Sequence, residues 1–263
     1  MERAVISLLT DFGDQDGFTG IMKGVILRIN PAVRIVDLSH RVPAHQVDAA
    51  AFVLHTAHSY FPAGTIHVVV VDPGVGSDRK IIACEANTQI FLAPDNEVLK
   101  YIFHEFGIDS VIHVTNQRYF LPVTSQTFHG RDIFAPVAAH LSTGIELHEL
   151  GESTTDFLPG AVIEPLISET SIQGQILHID TFGNLLTNIP KTCLPRSSDY
   201  AELSITGKQL DIKGISNSYT ESVGQEPVAI LGSHGYLEIA INQHRASDTL
   251  KLKPGDKIAI RWK

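Results

Sequence analysis

The chain has 263 residues, of which 43% are hydrophobic and 19% charged, enough for a sizeable core in one large domain or two modest ones. Its 20 Lys and Arg against 29 Asp and Glu give a net charge of −9 with no basic stripe, which argues against a nucleic-acid partner. Two distant cysteines, Cys84 and Cys193, exclude a disulfide framework and a cysteine-based zinc site. The first apolar run, Ala4–Leu9, is too short for a secretory leader, and no run approaches a membrane span, so a cytoplasmic protein is expected.

The elements alternate in the first half. Ala4–Leu9 reads as a strand, and Gly17–Ile29 as a helix with Ile21, Val25 and Ile29 on one face. Val33–Asp37 is a second strand and Gln46–His58 an Ala-rich helix. Val68–Val71 reads as a buried strand, since β-branched side chains suit the pleat and nothing polar interrupts them. Ile81–Ala86 and Gln89–Leu92 read as strands paired across Asn87-Thr88. Asn96–Phe106 and Asp132–Leu141 read as helices around a strand at Ser110–Val114. This alternation predicts an α/β domain over residues 1–160, a mostly parallel sheet flanked by helices.

The texture changes after Gly160. Ser171–Ile179, Tyr200–Ile205, Gln209–Lys213, Val228–Leu231, Tyr236–Ile241 and Lys257–Arg261 are short alternating segments separated by Gly, Asn and Pro. They predict an all-β, barrel-like domain over residues 168–263, joined through a linker at Pro159–Pro165.

The chemistry-bearing residues cluster where strands stop. The valine run ends at Asp72, and Pro73, Gly74 and Gly76 force a tight loop that leads to Arg79. Open α/β sheets place ligand chemistry at such carboxyl ends, although an Asp there also serves turns. Thr10–Gly17 closes the first strand with Asp11, Asp14 and Asp16. These acids suit sugar hydroxyls or a metal, and Asp16 equally suits a helix N-cap. Its Asp-Phe-Gly triplet lacks the other motifs of a protein kinase. Thr127–Asp132 sets His129 beside Gly130 and an Arg131-Asp132 pair. His55 and His58 read as structural or solvated, and the histidines form no metal-type spacing, so no metal site is expected. In the β region, Asp180–Asn184 offers an acid, the Phe182 ring and the Asn184 amide, and Gly232–Tyr236 offers Ser233 and backbone N–H groups for a carboxylate. Plain turns explain either loop equally well.

TDFG near the N-terminus, then IVDLSH, VVDPGVGSDR, TFHGRD, DTFGNLLTN and GSHGYLEIA, occur in an order that resembles the S-adenosyl-L-methionine hydroxide adenosyltransferases, relatives of the fluorinase and chlorinase. The motifs span residues 10 to about 246, almost the whole chain. The resemblance implies an N-terminal α/β domain, a C-terminal β-barrel, and hydrolysis of S-adenosyl-L-methionine (SAM) to adenosine and L-methionine with no cofactor. It implies catalytic roles for Asp72, Arg79 and His129, a ribose contact for Asp11, and ammonium contacts for Asp16 and Asp180. It further implies a carboxylate contact for Ser233 and adenosine contacts for Phe182, Asn184 and Ala246. His234 stands where some relatives carry Arg, and Gln243–Ala246 departs from their Gly-containing loop. The resemblance also implies a homotrimer with sites shared between subunits. Two other readings use the same pocket: a chlorinase-like enzyme, which a carboxylate at Asp72 disfavours, and a non-catalytic SAM- or adenosine-binding protein.

Overall fold

The structure, a computed structural model, describes residues 4–194, 200–205, 208–212, 214–222 and 224–262. It divides into two compact units, residues 1–162 and 163–263. The end of the expected strand Gln209–Lys213, at Lys213, lies outside the described residues.

The first unit runs β1 (Val5–Thr10), α1 (Phe18–Ile29), β2 (Arg34–Ser39), α2 (Val47–Ala57), β3 (Ile66–Val70), β4 (Ile81–Ala86), β5 (Gln89–Pro94), α3 (Lys100–Phe106), β6 (Val111–His113), α4 (Ala135–Leu141) and β7 (Ser153–Thr154). The sheet order is β2-β1-β3-β5-β4-β6-β7. β2, β1, β3 and β5 are parallel neighbours, whereas β4, β6 and β7 join antiparallel. The β4–β5 hairpin turns at Asn87 and Thr88, with φ of 48° and 62°, the left-handed pair that a two-residue turn between twisted strands needs.

The two-residue side-chain period explains why the valine run is apolar throughout. Ile66, Val68 and Val70 join Ile6 and Leu8 of β1 and Met22 and Ile26 of α1 in one core, with Val137 and Ala138 of α4. His67 faces the other way, stacked on Phe91 of β5 and hydrogen-bonded to Ser7 of β1 at 2.7 Å. Both faces of β3 are therefore covered, as parallel strands require.

Two helix starts differ from expectation. α3 begins at Lys100, because Glu97 has a φ of 71° that no helix accepts. A π-helical turn at Gly130–Phe134 precedes α4. Pro136 has no N–H to give to Asp132 four residues back, and the Asp132 carbonyl accepts from Leu121 N at 2.9 Å instead.

The second unit contains β8 (Leu166–Ile167), β9 (Ser171–Ile179), β10 (Leu185–Pro190), β11 (Tyr200–Ile205), β12 (Lys208–Ile212), β13 (Val228–Leu231), β14 (Tyr236–Ala240), α5 (Ala246–Leu250) and β15 (Lys257–Trp262). The pairings between these strands are antiparallel, in the order β12-β11-β15-β9-β10-β14-β13, with β8 on β9, and a single parallel bridge joins Ser216 to Ile230. β9 pairs with β15 through Ser171–Gln175 and with β10 through Ile176–Ile179, so one strand turns the corner between two parts of the sheet. Gly174 sits at that corner, where a Cβ would lie 2.6 Å from Ile189 Cγ1. The sheet curls enough for Ile212 of β12 and Ala229 of β13, at opposite ends of the path, to share one core with Ile176, Leu185, Leu237 and Ile258.

β10 and α5 were not expected. Asn188 and Pro190 interrupt the apolar pattern of β10, yet Asn188 is buried because its Oδ1 accepts from Gln175 N at 2.7 Å. α5 is too short to show a helical period.

Candidate active site

β1 and β3 are parallel neighbours with Thr10 opposite Val70, so the residues that follow them emerge together at the carboxyl edge of the sheet. This register brings Asp11 and Asp72 to one cleft of about 300 Å³, lined also by Phe18, His45, Phe128 and His129. Asp11 Oδ2 accepts from His45 N at 2.9 Å, and His45 takes a φ of 65°.

The loop after Asp72 folds tightly. Val75 N donates to the Asp72 carbonyl at 3.2 Å and Ser77 N to that of Gly74 at 3.1 Å. Gly76, with a φ of 81°, lies against the Gln126 carbonyl, where any Cβ would collide. The loop returns Arg79 to Asp72. Arg79 Nε donates to both carboxylate oxygens at 2.8 Å, and its terminal nitrogen Nη2 pairs with Asp72 Oδ2 as well. Both side chains are largely sheltered, at 10% and 4% exposure, so the pair is a desolvated one.

Arg79 Nη2 also meets His129 Nδ1 at 2.9 Å. A guanidinium can only donate, so Nδ1 must accept and the neutral ring carries its proton on Nε2. Burial lowers the His129 pKa, and the Arg79 charge lowers it further against the opposing pull of Asp72 and Asp132. His129 is thus a neutral imidazole with one nitrogen occupied and an Nε2–H free to donate. The π-helical turn that follows it is anchored by Asp132, fully buried, which accepts from Arg131 Nε at 2.6 Å and from Ser125 N at 2.7 Å. Phe12, Phe18 and Phe128 form a triangle of rings 5.2 to 5.9 Å apart beside these groups.

Asp16 is exposed and does not line this cleft. It is not the helix cap either: α1 is capped at Gly17 with no side-chain hydrogen bond.

The second unit carries its own cleft, of about 500 Å³, lined by Phe182, Asn184, Tyr219, Asn242, Gln243 and Arg245 among others. Asp180 organises the loop after β9. Its Oδ1 accepts from Phe182 N at 2.9 Å and Asn184 N at 2.8 Å, and its Oδ2 from Asn184 Nδ2 at 2.9 Å. This leaves the Phe182 ring 75% exposed while Asn184 is buried. Gly183, at φ 86°, lets the loop touch Arg245, whose guanidinium donates to the Thr181 carbonyl at 2.7 Å. Ala246 is fully buried at the start of α5, and Ser233 is exposed in the β13–β14 hairpin; neither lines the cleft.

Sequence reasoning missed one network here. Glu238 is 3% exposed and pairs with the Tyr219 hydroxyl and with His234 Nε2, the latter at 3.1 Å. Burial and the adjacent Glu238 raise the Tyr219 pKa, which keeps the phenol protonated as a donor. Tyr219 is isolated in sequence, and Glu238 sits in a strand that reads as ordinary alternation, so only the fold unites them.

Comparison with known proteins gives consistent matches. Residues 6–151 match the SAM hydroxide adenosyltransferase N-terminal domain and residues 174–259 the C-terminal domain. A protein of Methanocaldococcus jannaschii named (R)-S-adenosyl-L-methionine hydrolase is 35% identical over 267 residues, covering 97% of this chain and 95% of that one. A fluorinase of Actinoplanes sp. is 26% identical over 289 residues, covering 97% of each. The crystal structure of an uncharacterized conserved protein from Thermotoga maritima superposes with a TM-score of 0.91 at 37% identity, covering 97% of this chain and 99% of that one.

Proposed function

The chain belongs to the SAM hydroxide adenosyltransferase family, and from that membership we propose how its two clefts carry out the reaction. It is an enzyme that hydrolyses S-adenosyl-L-methionine. In the proposed step the oxygen of a water bonds to C5′ in line with the C5′–sulfur bond. That bond breaks with its electron pair going to sulfur, and the products are adenosine, L-methionine and one proton. The leaving group is a neutral thioether and needs no general acid, so the residues have to orient one water and receive its proton.

The Asp72–Arg79–His129 arrangement carries this reading. With His129 Nδ1 occupied by Arg79, the ring cannot serve as the base, and its Nε2–H is the group that holds the water oxygen. Asp72 is the anionic acceptor left for the proton, and Arg79 fixes its orientation. A halide has no proton to give such a carboxylate, which favours water as the nucleophile.

Asp11 is assigned to the ribose hydroxyls, Asp16 and Asp180 to the methionine ammonium, and Ser233 to its carboxylate. Phe182 and Asn184 are assigned to the adenosine, with the exposed Phe182 side chain offering a stacking face, whereas Ala246, fully buried, is assigned no direct contact. The binding groups are thus divided between the two units. We assign a site of this kind to a homotrimer, in which the first unit of one subunit and the second unit of another serve one ligand. No cofactor takes part in the proposed chemistry. Two free thiols, Cys84 and Cys193, fit a reducing compartment such as the cytoplasm.

The test is turnover of SAM in heavy-oxygen water with a chelator present. The expected result is adenosine carrying the heavy oxygen on its 5′-hydroxyl. Label in methionine, or activity that disappears with chelator and returns with a divalent ion, would overturn the mechanism.

A further inference from the structure

We propose that His55, His58 and Glu105 form a binding site for a zinc-class divalent ion, separate from the catalytic cleft. His55 lies in the last turn of α2, His58 directly follows that helix, and Glu105 lies in the last turn of α3. The three-residue spacing of the histidines sets both on one helical face, toward Glu105. His55 Nδ1 lies 3.5 Å and His58 Nε2 3.4 Å from the same oxygen, Glu105 Oε2. One ligand atom from each of the three residues falls within 4.8 Å of the others.

These separations, longer than a short charge-assisted bond, also match those around a shared ion. Charge-assisted N–H···O contacts close to about 2.7–2.9 Å. A tetrahedral zinc ion with bonds of about 2.1 Å holds its ligand atoms about 3.4 Å apart. The two imidazole–carboxylate edges already have that length. Two imidazoles and a carboxylate form a donor set that suits zinc, and no thiolate is present to favour softer ions.

The surroundings fix the rings. His55 stacks on Tyr101 at 4.8 Å, and His58 meets the edges of Phe91 and Phe106 at 5.9 and 5.8 Å. Gln89 Nε2 donates to the His58 carbonyl at 3.1 Å and pins its backbone. His58 is buried, whereas Glu105 is 41% exposed on its side chain, which leaves a path for the ion and a place for water as fourth ligand. The ion would sit at the carboxyl ends of two helices, where their dipoles favour positive charge.

The position separates this site from the chemistry. His58 neighbours Gln89, the first residue of β5, at the amino edge of the sheet. Asp72 lies beyond the carboxyl edge. From Ile66 to Asp72 is six residues of extended chain, or about 20 Å. The ion would therefore tie α2 to α3 and not touch the reacting atoms.

The experiment titrates chelator-stripped full-length protein with zinc by calorimetry, and with cobalt while following its visible absorption. One ion per chain is expected, with a rise in Tm that grows with ion concentration. Glu105→Gln removes a half-exposed ligand and should weaken binding by about 10²-fold or more, since loss of even an outer-shell partner can cost that much. Its SAM hydrolysis should equal that of the unmodified chain, which also shows that it folds. His55→Gln should weaken binding in the same way. No saturable binding, or binding that neither substitution changes, would refute the site. Loss of turnover in Glu105→Gln would refute its separation from the cleft.

Discussion

Asp72→Asn isolates the proton acceptor from the structural role of the same side chain. The amide keeps the shape of the carboxylate and one oxygen for Arg79 Nε, so the guanidinium, 10% exposed, retains a partner. What disappears is the negative charge proposed to receive the proton of the attacking water. Loss of such a group should lower kcat by about 10²–10⁴-fold, or about 3–5 kcal/mol of barrier. KM should change far less, because Asp72 is assigned to the water and not to SAM. Asp72→Ala is the harsher control: it leaves a sheltered guanidinium unpaired and should cost about 3–5 kcal/mol of stability besides. Chromatographic measurement of adenosine over a range of SAM concentrations gives both constants, and urea unfolding gives the stability. A folded Asp72→Asn enzyme whose kcat stays within about threefold of the original would refute Asp72 as the acceptor.

Asp11→Asn should mainly raise KM, since ribose hydroxyls are held alike in the ground and transition states; a selective fall in kcat would contradict the assignment. The rate should stay level as pH falls through 6.5 and drop only below it, because the folded protein holds the His129 pKa down and protonation would set Nδ1–H against Arg79. A midpoint above 6.5 in the pH–rate profile would count against the tautomer argument. His67, fully buried, has its pKa lowered from 6.5 to about 4 by burial first and by nearby His58 next. The unfolded chain takes up a proton that the folded one refuses, so this contribution is intact above pH 6.5 and lost as pH falls toward 4, by about 3 kcal/mol. His67→Gln should flatten the pH dependence of urea stability in that window, and parallel curves for the two proteins would show that His67 is not responsible. Inactive Asp72→Ala and Asp180→Ala chains, unfolded and reassembled together, should regain activity if subunits share sites; tagged co-assembly without turnover would favour a site within one chain.

Much of the frame was legible because burial leaves periodic marks. The valine run of β3 is apolar on both faces and stops at an acid, so the strand and the emergence of Asp72 could both be read. The pairing of β4 with β5 could be read from two short runs across a two-residue turn. The same logic fails where a residue's environment is set by distant chain. Asn188 reads as a strand breaker until Gln175 satisfies its amide. Glu97 reads as a helix former until its positive φ ends the helix early. At the site, residue types and order pointed to an acid, a guanidinium and an imidazole. Their connectivity could not be read, and it decides the roles: only the contact of Arg79 with His129 Nδ1 assigns the proton to Nε2. Glu238 and Tyr219 left no sequence mark, because a buried carboxylate in a strand looks like any alternating polar position until its partners are known.

That connectivity also fits the charge balance of the proposed reaction. The substrate brings a sulfonium cation and the water is neutral. Asp72 and Arg79 cancel, and His129 is held neutral, so these three groups together add no net charge, and Asp11 is the remaining carboxylate of the cleft. Positive charge leaves sulfur as the C5′–sulfur bond breaks and reappears on the attacking oxygen until its proton departs. A fixed carboxylate stabilises that charge only as it develops, and shelter from bulk water strengthens the effect. The Phe12 and Phe18 rings that line the cleft are proposed to meet the sulfonium before the bond breaks, since they attract a soft cation without competing for the water's proton; the Phe128 ring already carries the Arg131 guanidinium. A guanidinium left free would repel the sulfonium and a carboxylate left free would hold it too tightly in the ground state. In the proposed reaction, pairing the two orients the carboxylate for the water without leaving either charge free, so Arg79→Ala is expected to lower kcat as Asp72→Asn does.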